Sequence, residues 1–88
     1  IGCTGCISRA GAAVRPIQER FGEVLRRRRE AAGQSQEALA AEAGLHRNYV
    51  GLLERGKRIP SILVVEKLAA ALGTTMASLM RSVEQADQ

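Results

Sequence analysis

The 88-residue chain, 45% hydrophobic and 25% charged, is sized for one small soluble domain with some extra chain. A net charge of +4 and a pI near 9.8 favour a polyanionic partner, and two aromatics, Phe21 and Tyr49, are too few for a base-stacking platform. No apolar run approaches the ~18 residues of a membrane span and no secretory signal is visible, so a cytoplasmic protein with no membrane association is expected.

Residues 1–16, IGCTGCISRAGAAVRP, are rich in Gly and Ala and end on a proline, and they read as a processed or appended leader or linker. Cys3 and Cys6 form a lone Cys-Thr-Gly-Cys. A structural zinc site needs four ligands and only His46 is left to help, so neither metal nor cofactor is expected. The pair is expected to be two ordinary thiols, with an intermolecular disulfide as the alternative.

After Pro16 the periodicity turns helical. Phe21, Val24, Leu25, Arg28, Arg29 and Ala32 recur at the three-to-four spacing of one helix face, which Gly33 ends. Ser35 is an N-cap for a second helix through Ala43, with Leu39, Ala40 and Ala43 facing inward and Gly44 as its stop. A third runs from about Arg47 to Arg55 on the anchors Val50 and Leu53. A basic loop, Lys57-Arg58-Ile59-Pro60, follows. Ser61 caps a fourth helix whose inward stripe is Ile62, Val65, Leu68, Ala69 and Leu72. Thr75 caps a fifth with Met76, Leu79 and Met80 apolar. The expected fold is all-α, five short helices over residues 17–81, with 82–88 as a polar tail.

The second and third helices are separated by about three residues, Gly44-Leu45-His46. Two short helices joined by a tight glycine-containing turn form a helix-turn-helix. In such a unit the second helix enters the DNA major groove and its first residues reach base edges. Arg47 can chelate guanine O6 and N7, and Asn48 can read adenine N6 and N7. Gly51 and Leu52 follow at the same spacing and complete the base-contact candidates. Leu52 offers only apolar contact, for instance to a thymine methyl, and partial core packing is its alternative role. Between His46 and Arg58 four basic residues stand against one acid, Glu54.

The blocks Ser35-Gln36-Glu37, Leu39-Ala40, Ala43-Gly44, Tyr49-Val50, Leu53-Glu54-Arg55-Gly56, Pro60-Ser61 and Ala71-Leu72-Gly73 occur in an order that resembles the lambda-repressor/Cro-type, or XRE, helix-turn-helix family over roughly residues 20–80. The resemblance implies a five-helix DNA-binding domain and a transcriptional regulator, and nothing in the sequence selects between a repressor and an activator. It also implies that Gln36 holds a phosphate at the start of the second helix, where free amides and the helix dipole attract anions. Lys57 and Arg58 become phosphate candidates by their loop, and His46 either caps the third helix or touches a phosphate. In the resembled family the arginine four residues before the first glycine pairs with the glutamate ending the recognition helix; here these are Arg29 and Glu54. Arg26 and Arg27 are expected in solvent, and Arg28 is expected to pack its stem while its head reaches outward.

The predicted partner is double-stranded DNA, bound by a homodimer on a near-palindromic site. Leu63, Val64 and Met80 are the candidate dimer surface. A toxin-neutralising adaptor is the alternative from another class, and the sequence selects neither an RNA polymerase nor a toxin as a further partner. Gly51-Leu-Leu-Glu-Arg-Gly56-Lys57-Arg58 approaches a phosphate-loop pattern but lacks its final Ser/Thr and a preceding strand. One histidine and no paired-carboxylate cleft leave no catalytic constellation.

Overall fold

The computed structural model describes residues 15–86. Cys3, Cys6 and nearly all of the expected leader lie outside the described residues. Five helices follow one another: α1 (Ile17–Ala31), α2 (Gln36–Ala43), α3 (Arg47–Glu54), α4 (Ile62–Ala71) and α5 (Met76–Gln85). There is no strand among the described residues.

Each start has a local chemical cause. Ser35, Ser61 and Thr75 each accept, through the side-chain oxygen, the backbone N–H three residues on, at 3.0, 3.2 and 3.1 Å. α1 has no side-chain cap and starts directly after Pro16, whose φ of −54° is already suited to a helix. Each of the first four helices ends in a paired backbone closure. For α1, the Gly33 amide donates to Glu30 and the Gln34 amide to Arg29.

The core is almost entirely aliphatic. Phe21, Val24 and Leu25 from α1 meet Leu39, Ala40 and Ala43 from α2, Val50 and Leu53 from α3, Val65, Leu68 and Ala69 from α4, and Leu79 and Val83 from α5. α1 packs on α3 and α5, while α2 packs on α3 and α4. α3 is therefore held from two sides. Where α1 crosses α3, Gly22 is buried with no side chain between the two backbones.

Three expectations change. The polar tail does not begin at residue 82: α5 continues to Gln85 and Val83 is fully buried, one helical turn beyond Leu79. The Arg20 guanidinium lies 3.5 Å from the Val83 carbonyl and that of Arg15 lies 3.4 Å from the Ala86 carbonyl, bringing positive charge to the negative end of α5. Ile62 is not part of the inward stripe; as the first residue of α4 it precedes the turn that packs and is 78% exposed.

Arg28 is the third. Its head turns inward along α5, donating to Ser82 Oγ at 2.7 Å, to Thr74 Oγ1 and Ser78 Oγ at 3.3 Å, and to the Ser78 carbonyl at 3.4 Å. A row of small hydroxyls at four-residue spacing makes a polar seat for a guanidinium. Its neighbours Arg26 and Arg27 are exposed and form i,i+4 ion pairs with Glu30 and Glu23. Arg28→Ala is expected to loosen α5 and cost about 1 kcal/mol. A thermal melt should then shift down by roughly 4–8 °C. No single helix among the described residues is long and apolar enough to cross a membrane.

Candidate nucleic-acid interface

The turn from α2 to α3 is built on Gly44, which sits at φ 71°, ψ 32°. A side chain with Cβ is disfavoured in that left-handed region. The Leu45 amide closes the turn on the Ala40 carbonyl at 2.8 Å, and the Leu45 side chain packs against the core. His46 is the N-cap of α3: its Nδ1 accepts the Asn48 amide at 3.2 Å. With Nδ1 accepting, the ring hydrogen of this exposed side chain sits on Nε2.

α3 is eight residues long and rises about 12 Å. Val50 and Leu53 are fully buried and fix its inner side, with Tyr49 packed partly against the same core. Arg47 and Asn48 stand exposed at its first turn. Leu52 is half-buried and lines one open cleft with Gln36, Arg47, Asn48, Gly51 and Arg55. Lys57 and Arg58 are exposed in the following loop.

Gly51 lines the same cleft as Arg47 and Asn48 but is covered there. It is buried because it has no side chain and two others lie over it: a β-carbon there would stand 3.3 Å from Arg55 Nη1 and 3.6 Å from Gln36 Oε1.

Behind the cleft lies a polar junction centred on Glu54. Arg29 Nε donates to Glu54 Oε2 at 2.6 Å and Arg29 Nη2 to Oε1 at 3.2 Å, while Gln36 Nε2 donates to Oε1 at 2.9 Å. The Arg29 and Glu54 side chains are 12% and 4% exposed. Arg29 also donates from Nη1 to the Gln34 carbonyl at 2.8 Å. Hydrogen bonding to Glu54 holds the guanidinium's pKa above its ordinary value, against the opposing effect of burial. The junction ties α1 and the start of α2 to the end of α3. It also turns the acid of this region inward, leaving Arg47, Arg55, Lys57 and Arg58 on the outside. Gln36 spends one amide hydrogen on Glu54 and keeps a second.

The three candidate dimer-surface residues differ in their surroundings. Leu63 is 55% exposed, but Val64 is packed partly against the core. Met80 instead lines a small apolar groove with Ile17, Phe21, Ile59, Pro60 and Val65.

The residues that sequence reading missed are Gly22, Arg55 and the α5 hydroxyls. A glycine inside an otherwise helical pattern was the available signal for Gly22.

A short two-helix unit with an exposed basic reading helix is the architecture of DNA-binding regulators. The family profile described as helix-turn-helix matches residues 25–79, and the chain belongs to this family of DNA-binding transcriptional regulators. Among its relatives, the control protein C.MunI of Mycoplasma sp is 40% identical over 70 residues, covering 78% of this chain and 95% of that protein. The control protein C.BamHI of Bacillus amyloliquefaciens is 41% identical over 61 residues, covering 68% and 75%. The crystal structure of the restriction-modification controller protein C.AhdI from Aeromonas hydrophila is similar with a TM-score of 0.69 and 47% identity, covering 70% of this chain and 94% of that one.

Proposed function

We propose that this chain is a controller of restriction-modification genes that binds a near-palindromic operator as a homodimer in the cytoplasm. The observation that carries the reading is the exposed pair Arg47 and Asn48 at the start of a helix braced from behind, with the only acid of that stretch turned inward. The control-protein relatives support a regulator over a toxin-neutralising adaptor. Arg47 and Asn48 read bases, with Leu52 beside them. Gln36, through its second amide hydrogen, His46 through Nε2, and Lys57 and Arg58 hold phosphates. Two copies place two reading helices one helical turn apart on the same face of the duplex, and Leu63 supports such an assembly as an exposed leucine on α4.

Selection of bound sequences from random duplex DNA tests the reading. The wild-type chain should enrich one symmetric site. Arg47→Ala should relax preference at particular positions, by about 1–3 kcal/mol of lost discrimination. Lys57→Ala should weaken all sequences evenly and reduce the salt slope by about one. Enrichment of no site by the wild-type chain would defeat the proposal.

A further inference from the structure

Arg55 lies outside every contact assigned above, yet it lines the same cleft as Arg47 and Asn48. It follows Arg47 by eight positions, which places it about 12 Å farther along the α3 axis and only about 80° around it. The two arginines therefore stand on one side of the reading helix at opposite ends. The major groove is about 12 Å wide, so a helix entering it by its first turn brings its last turn towards the groove wall, where the phosphates are.

Three observations on this side chain agree. Arg55 is exposed and the neighbouring acid, Glu54, is committed to Arg29 and Gln36, so it offers no partner. The Arg55 head does not extend away from the helix: its Nη1 lies back over Gly51, beside the Gln36 amide. A β-carbon at 51 would stand 3.3 Å from that nitrogen, tight enough that the flexible guanidinium would have to shift. Gly51 thus costs the helix propensity and keeps open the place that the guanidinium occupies.

We infer that Arg55 is a backbone-phosphate contact, held over Gly51 so that its guanidinium and the Gln36 amide face one phosphate at the edge of the major groove. Gly51 is the positioning residue for it. The inference rests on the regulator reading and adds to it a phosphate clamp and the reason for a glycine within a reading helix. A guanidinium suits the task because it offers paired donors to phosphate oxygens.

The test is a titration of the selected operator duplex, followed by fluorescence anisotropy over a series of salt concentrations. Wild type, Arg55→Gln, Arg55→Lys and Gly51→Ala are compared, with a thermal melt of each. Loss of one phosphate contact reduces the slope of log K against log salt by about 0.9, so the affinity changes about eightfold less per tenfold change in salt. Arg55→Gln should show that change with the same preferred sequence, and Arg55→Lys should keep the wild-type slope. Gly51→Ala, which displaces the guanidinium by only a few tenths of an ångström, should lose part of the slope that Arg55→Gln loses while its melting temperature stays level or rises, which a merely structural glycine would not do. An unaltered slope in Arg55→Gln, or relaxed preference at particular bases, overturns the phosphate assignment while the regulator reading stands. An unaltered slope in Gly51→Ala overturns the positioning role. A wild-type chain that binds no duplex defeats the regulator reading and this assignment together.

Discussion

Replacing Gly22 by alanine is expected to lower the melting temperature by roughly 10–20 °C, measured by circular dichroism. The added carbon would lie 2.6 Å from the Glu54 carbonyl oxygen, 2.9 Å from the Glu54 carbonyl carbon, and closer still to the carbonyl oxygen of Leu53. All three atoms belong to the α3 backbone, so no side-chain rotation relieves the clash. α1 and α3 must separate, and an overpacked contact of this kind costs about 1–3 kcal/mol or more. Because the displaced helix carries Arg47 and Asn48, operator affinity should fall even where the fold survives. Alanine is otherwise the better helix former, so a melting temperature equal to or above wild type would show that the two backbones do not meet at Gly22.

The second large effect is expected at Glu54. Removing its carboxylate in Glu54→Ala strands Arg29, whose side chain is 12% exposed, and unties Gln36 from the end of α3. Breaking a buried ion pair by deleting one partner costs about 3–5 kcal/mol, most of which is the uncompensated charge left behind. Urea unfolding should register a loss in that range. The double variant Arg29→Met/Glu54→Leu should recover a good part of it, since no bare charge remains inside. A double variant no more stable than Glu54→Ala would mean that the junction acts through the geometry of its hydrogen bonds and not through charge compensation.

These two positions also mark how far the sequence could be read. The helices were legible because their causes are local: Ser35, Ser61 and Thr75 sit one residue ahead of apolar periodicity, and each does accept an amide three residues on. The helix-turn-helix was legible for the same reason, since Gly44 and the short spacing around it are neighbours in the chain. Arg29 and Glu54 are 25 positions apart and were linked only through family resemblance. Gly22 was overlooked because its role is set by the α3 backbone, more than thirty positions away. The buried state of Gly51 depends on Gln36, which periodicity within α3 does not encode. Val83 was recoverable, since Met76, Leu79, Met80 and Val83 keep helical spacing, but the polar residues around it outweighed that signal. The hydroxyl row for Arg28 was likewise present, as Thr74, Ser78 and Ser82, with nothing local to connect it to α1.

The Glu54 junction has a further consequence for recognition. Three helices meet at one carboxylate before any duplex is present, so Arg47 and Asn48 project from a frame whose shape is already fixed. The complex then loses little backbone freedom as it forms, and mainly the long side chains at its surface become ordered. Docking is closer to the meeting of two rigid bodies than to folding on a template, and the affinity of each contact is spent on discrimination between sequences instead of on ordering the protein.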